Sequence, residues 1–550
     1  MATSNPSDVV SRLPPEIILR IFDSVQPVGS MSTYGATSEV SEISPDYLEA
    51  RTTLSNAARA SRMLCTLATE YLYRTVVLRS DMELLLFFRT LVISPRFRFR
   101  VKALAWAGDM AAQLEPVHTA IRELWVSLGW PACDGDRSIA KSVGIAGADI
   151  PRTPRVLAAL LAMVPKVKHL VVLFSAVRRD PLRSDGAQMA LEKQAFRFLI
   201  KPPKHVAIPA TAERVDVQGA SPDRDTEQPD HGTHASSEAG RFLQDLEVVT
   251  FQKNEHHRLE SASIFDVLHR VLLNCPRIRR IEVKSQATFG IQIPMDRGDY
   301  RQLLPAASET VKEVLLFRGH VAQDILPAVF GAFPNLASFA AEYAHGGPVR
   351  PWSDPYCLYV SDALMTISGT LQRLTLTTIL GNSWNTRDLP PLLPALRGME
   401  ALKWLTTESI WLFGGQDPLL ALNIVDFLPP SLVDLGLIDY WGVYDTENWY
   451  PTLPHEWQPL HFLGQMLVAL CEQSMESLPA LRSVMISSPL LSPDAARFGS
   501  DGQQDEQDII AFVSNFQRLF AGVGISFSHT SAVFTAPRFQ ARWAYVNEPA

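Results

Sequence analysis

One local pattern recurs along this chain and limits what it can fold into: apolar, two residues of any type, apolar, one of any type, apolar. It reads VKALAW (Val101, Leu104, Trp106), VKHLVV (Val167, Leu170, Val172), LQDLEV (Leu243, Leu246, Val248) and IRRIEV (Ile278, Ile281, Val283). It continues as VKEVLL (Val311, Val314, Leu316), LQRLTL (Leu371, Leu374, Leu376), LVDLGL (Leu432, Leu435, Leu437) and LRSVMI (Leu481, Val484, Ile486). LASFAA at 336 and MEALKW at 399 are weaker members. The closing residues of each alternate or run apolar, as a short strand does. Before most of them stands a helix-spaced apolar segment ending at a proline, as in RVLAALLAMVPKVKHL and DILPAVFGAFPNLASF. The residue before proline is pushed out of the α region, so the helix stops there.

Helix, proline turn and short strand, returning at roughly 25–50 residues, predict an α/β solenoid. Each segment buries its strand and helix by stacking on its neighbours. The segments resemble leucine-rich repeats, in the long and irregular form common in fungal proteins. Where that family places an Asn inside the turn, this chain has Ile379, Gln286, Gly319 or Tyr440. The other reading is a non-repetitive α/β domain whose strands share a generic LxxLxL pattern.

Ahead of these segments stands LPPEIILRIF (13–22). Its apolar residues fall in pairs, Ile17–Ile18 and Ile21–Phe22, with Val25 beyond them, which suits one face of a helix. Pro14–Pro15 opens that helix in the first-turn position, where a missing N–H costs little. Further on, within 51–80, Leu54, Ala58, Ser61, Leu64, Ala68 and Leu72 keep helical spacing, and LYRTVVL reads as a strand.

Together these stretches resemble an F-box. The matching features are Leu13–Pro14, Glu16, the Ile17/Ile18/Ile21/Phe22 face, Ser61–Arg62 and Leu72–Tyr73. Two features depart from the family: an insert at 27–50 separates the helices, and Met63 stands where Trp is frequent. A helical module of ~50 residues buries too little apolar surface to be secure alone. F-boxes complete theirs against the Skp-type adaptor of Skp–cullin–F-box ubiquitin ligases. The resemblance therefore implies adaptor-binding residues Leu13, Pro14, Ile17, Ile18, Ile21 and Phe22, divided between internal packing and the adaptor.

The same resemblance implies a substrate-recognition subunit that catalyses nothing itself. The F-box would hold the adaptor, and through it the cullin scaffold, while the solenoid holds a target protein. The alternative is a non-catalytic interaction scaffold whose F-box does not recruit a cullin. A helix that merely caps the first repeat is the plainest reading of the same stretch. The expected division is a helical module over 1–80, with 27–50 as a disordered insert, then a solenoid over 81–550 with a disordered loop at 202–240. The first insert is Ser/Thr/Gly-rich over 27–45 and lacks an apolar period, and 202–240 is too poor in large apolar groups to offset ordering entropy.

Composition narrows the partners. A net charge of −8 argues against general nucleic-acid or anionic-membrane binding and leaves protein partners open. Five cysteines (Cys65, Cys133, Cys275, Cys357, Cys471) lie far apart with no CxxC, which suits a reducing compartment. No secretory leader and no run of ~18 apolar residues is present, so the expected location is intracellular, cytoplasmic or nuclear.

Reactive constellations are scarce. HGTH (231–234) resembles the histidine motif of subtilisin-like proteases, but no matching Asp motif or GTS-type serine elbow accompanies it. His256–His257 has no cluster of ligand-type residues at metal spacing. PRFRFRVK (95–102) alternates Arg with Phe, as an element edge with one buried and one solvated face does. No catalytic residue, metal or cofactor is expected. The target surface is expected on outward strand positions, Gln372, Arg373, Glu313, Glu282 and Asp434 with Trp404, or on the loops 351–359 and 440–451.

Overall fold

A computed structural model describes residues 14–25, 45–106, 153–174, 243–253, 271–272, 275–285, 309–317, 326–344, 356–379, 393–408, 412, 418–438, 459–488, 491 and 506–530. The HGTH motif, His256–His257, the 202–240 segment and most of the two aromatic loops lie outside them. The chain divides into two compact units: Met1–His257 with Asp266–Ile278, and Arg258–Phe265 with Arg279–Ala550.

The first unit opens with three helices, α1 (Pro15–Val25), α2 (Pro45–Ala60) and α3 (Arg62–Arg74). After them come β1 (Thr75–Leu78), α4 (Asp81–Ile93), a 3₁₀ turn (Pro95–Phe99), β2 (Ala103–Trp106), α5 (Thr153–Met163), β3 (His169–Phe174) and β4 (Val248–Lys253). Its strands pair in sequence order, β1 with β2, β2 with β3 and β3 with β4, all parallel.

The second unit holds β5 (Arg280–Ser285), β6 (Glu313–Phe317), α6 (Leu326–Ala332), β7 (Ser338–Ala344), α7 (Tyr356–Met365) and β8 (Arg373–Ile379). It continues with α8 (Leu393–Arg397), β9 (Trp404–Glu408), a 3₁₀ stretch (Pro418–Phe427), β10 (Asp434–Ile438), α9 (Pro459–Ser477), β11 (Ser483–Ser487), α10 (Glu506–Gly522) and β12 (Ser526–Thr530). These strands are again parallel and in sequence order. Each unit is therefore a parallel α/β arrangement compatible with a solenoid.

The recurring pattern has a longer physical form than the sequence suggests. A buried residue three positions before the first anchor accepts that anchor's N–H: Val164 from Val167, Cys275 from Ile278, Phe333 from Leu336, Met399 from Leu402 and Leu478 from Leu481, at 2.9–3.3 Å. Leu243 does so for Leu246, and Pro429 for Leu432. In five of these seven turns proline comes directly after the acceptor: Pro165, Pro276, Pro334, Pro430 and Pro479. Its fixed φ suits the second residue of a type I turn, which is why the helix-to-strand junction is marked by proline.

Because that acceptor is itself apolar, two segments are read one step early in the sequence. β3 pairs Leu170 with Val249, so the segment at β4 is LEVVTF, anchored by Leu246, Val249 and Phe251. β8 pairs Leu374 with Leu405, so the segment at β9 is LKWLTT rather than MEALKW. β12 carries no such signature. At its first-anchor position stands Gly524 with φ +76, a conformation open to glycine.

The helical module also differs in two places. Ser61 does not lie within one long helix: it caps α3, its hydroxyl accepting the Leu64 N–H at 3.1 Å, and separates α2 from α3. And α2 begins at Pro45, inside the stretch expected as an insert, because Tyr47, Ala50 and Leu54 keep helical spacing and are buried.

The anchors form the core. Leu104, Leu170, Val249, Leu374 and Leu435 are fully covered, each worth about 2 kcal/mol of burial. Among the described residues no helix is long and apolar enough to cross a membrane.

Candidate functional site

Helix α1 divides its apolar pairs between two environments. Ile18 and Phe22, four residues apart, are 2% and 6% exposed and pack with Leu54, Ala68 and Tyr71. Ile17 and Ile21, also four apart, stand 41% and 46% exposed, with Pro14 exposed in line with them. Leu13 lies outside the described residues. The helix starts as its prolines require: the Pro14 carbonyl accepts Ile17 N–H at 3.0 Å and Ile18 N–H at 3.3 Å.

The buried side is locked by polar contacts at its edge. Phe22 meets Tyr71 edge-on at 5.6 Å between ring centres, and the Tyr71 hydroxyl donates to the Leu19 carbonyl at 3.1 Å. Arg74 reaches Asp23 at 3.0 Å and lies over the Tyr71 ring at 4.1 Å. Burial pushes the Tyr71 phenol above its ordinary range, with the Asp23 carboxylate adding to the effect. The Tyr47 hydroxyl donates to the Thr75 carbonyl at 3.2 Å, tying α2 to the start of β1. α1 is thus held in one orientation, with Ile17 and Ile21 pointing away from the cluster that Ile18 and Phe22 join. Met63, on α3, is partly exposed as well.

In the second unit the register sets Arg373, Trp404, Asp434 and Ser483 in one row across β8–β11. The Arg373 guanidinium lies over the Trp404 ring at 5.0 Å. Burial pushes the Asp434 carboxyl up, opposed by hydrogen bonds from Trp404 and Ser483 and by the Arg373 charge. The row is half-buried, not open. Glu282, expected to face outward, is 5% exposed and paired with Arg280 at 2.6 Å. Alternation gives the face of a strand residue but not whether that face is covered, and here it is. Gln372 is exposed and Glu313 half-buried.

The Arg/Phe alternation at 95–99 forms a 3₁₀ turn in which the roles are exchanged: Arg98 is buried, its Nε donating to the Leu91 carbonyl at 2.8 Å. Phe97 stacks on Tyr73 at 4.1 Å. Cys65, Cys275 and Cys471 are free thiols, and burial pushes Cys275 up to about 12. Among the described residues no group of three or more His, Cys, Asp or Glu side chains is placed to hold a metal ion.

No known family model matches this chain, and no curated protein matches it either.

Proposed function

We propose that the chain is the substrate receptor of a Skp–cullin–F-box ubiquitin ligase, with α1–α3 as its F-box and the parallel strand segments as its target-binding body. The observation that carries the reading is the division of α1: Ile18 and Phe22 build the module, while Ile17 and Ile21 remain exposed on a helix whose orientation is fixed. A capping helix would be expected to bury its whole apolar stripe. In this role the protein performs no bond chemistry. It holds a target beside the charged conjugating enzyme, turning a bimolecular transfer into an effectively intramolecular one.

The test uses the full chain with Pro14, Ile17 and Ile21 all replaced by Ala. Truncating the centre of an interface commonly costs ~2 kcal/mol or more, roughly thirtyfold in affinity. The variant should lose the co-purifying Skp-type adaptor and cullin while melting within about 2 °C of the parent, since exposed side chains contribute little to stability. A large fall in melting temperature with no adaptor recovered from the parent would overturn the reading. Recovery of the adaptor without a cullin would leave the scaffold alternative.

A further inference from the structure

The residue just before each of β5–β11 occupies the same backbone position in the second unit. Arg279, Lys312, Ala337, Gln372, Lys403, Val433 and Arg482 are joined by a continuous row of hydrogen bonds, each N–H donating to the carbonyl of its predecessor at 2.8 Å. Four of the seven are cations, in a chain whose net charge is −8. All four are exposed. Among the described residues Arg279, Lys312 and Lys403 make no ion pair or side-chain hydrogen bond. Arg482 is held in place by its own turn, Nη1 donating to the Pro479 and Leu481 carbonyls at 3.0 Å.

The acids nearest in sequence do not close this row. Glu282 and Glu313 are engaged by Arg280 at 2.6 and 3.4 Å, and Asp434 faces Trp404, Ser483 and Arg373. Glu309 and Glu400 are exposed in the turns before Lys312 and Lys403 and reduce the local charge, and among the described residues neither makes an ion pair.

We infer that this row is a docking edge for an extended acidic peptide segment of a partner protein. Neighbouring strands lie about 4.8 Å apart, so the row from Arg279 to Arg482 spans about 29 Å, the length of roughly nine extended residues. Its cations fall one, three and two strand spacings apart, about 5, 14 and 10 Å. A peptide with carboxylates some one to two, four and three residues apart matches that series. Duplex DNA, with a charge every ~1.7 Å, carries its charges far more densely than the cations of this row are spaced. The inference goes beyond the adaptor reading and does not depend on it, because the binding assay contains no adaptor.

Fluorescence anisotropy with the full chain and a labelled twelve-residue poly-glutamate tests it at low ionic strength. Binding should weaken at least tenfold in a variant carrying Arg279→Glu, Lys312→Glu and Lys403→Glu, and again in the parent when salt is raised. The same reversal at exposed Arg518 on α10 should leave it unchanged, and melting curves should overlay. Absence of binding by the parent would overturn the inference, as would equal weakening by Arg518→Glu. A twelve-residue oligothymidylate that binds more tightly than poly-glutamate, and is lost in the triple variant, would overturn the peptide assignment in favour of single-stranded nucleic acid.

Discussion

The two units carry the same cationic backbone position and treat it differently. In the first, Arg74, Lys102, Lys168 and Glu247 are joined by the same 2.8 Å row. There Arg74 pairs with Asp23 at 3.0 Å and Lys168 with Glu247 at 2.7 Å, while Asp245 takes Lys166 at 3.4 Å and Arg277 at 2.7 Å. In the second unit Arg279, Lys312 and Lys403 meet no such acid among the described residues. The repeated turn sets this position along one edge, where every residue of the two rows except Ala337 and Val433 has a long polar side chain. Only the neighbouring residues decide whether its charge is neutralised inside the unit or left for a partner.

The comparison requires that the apolar anchors be equivalent, so that the polar row is the difference. Leu170 and Leu374 occupy matching positions and are both fully covered. Leu170→Ala and Leu374→Ala should each destabilise the protein by about 3 kcal/mol in denaturant unfolding. A loss below about 1 kcal/mol at either site would break the equivalence.

A second difference lies in the turn that precedes the anchors. Its buried acceptor is Cys275 at the end of the first unit, and Phe333, Met399, Pro429 or Leu478 in the second. Folding raises the thiol from 9.0 to about 12, so native protein keeps a proton that the unfolded chain gives up above pH 9. Stability is whole below that pH and falls as pH climbs toward 12. Between pH 7 and 10 the loss is about 1.4 kcal/mol. Cys275→Ala should lose that much less than the parent over the same interval, measured by urea midpoints. Parallel pH profiles for the two proteins would show the thiol to be open to solvent.

How much of this was legible in the sequence depends on what each residue type encodes. Ten of the strands announced themselves through the apolar anchors, and β1 through LYRTVVL, because anchors and strand period are local. The frame at β4 and β9 was not legible, since the turn acceptors Leu243 and Met399 are as apolar as the anchors they precede. β12 was missed because Gly524 replaces an anchor. For α1 the apolar pairs predicted the helix and its start, yet only packing against Leu54, Ala68 and Tyr71 distinguishes Ile18 and Phe22 from Ile17 and Ile21. The cationic row was written in the pattern itself, in the Lys or Arg after the first anchor of VKALAW, VKHLVV, IRRIEV, VKEVLL and LRSVMI. Its pairing was not, because Asp23 and Arg74 are far apart in sequence.

The smallest effect gives the sharpest contrast between the rows. Lys102 lies among Lys166, Lys168 and Arg74; burial first, then these like charges, lower its pKa, with Asp245 opposing. The charged ammonium therefore costs the native state free energy at every pH below the lowered pKa, and the cost fades as pH rises toward 10.5. Removing the charge with Lys102→Met keeps the aliphatic stem and should raise the melting temperature at pH 7 by about 0.5 °C, a fraction of a kcal/mol. The gain should shrink as pH approaches 10, where the parent lysine begins to shed its proton. Lys312→Met, at the matching position of the second unit, replaces an exposed side chain and should leave the melting temperature at pH 7 unchanged. If Lys312→Met were the stabilising change and Lys102→Met the neutral one, the crowded row would lie in the second unit, and the open edge assigned there would be lost with it.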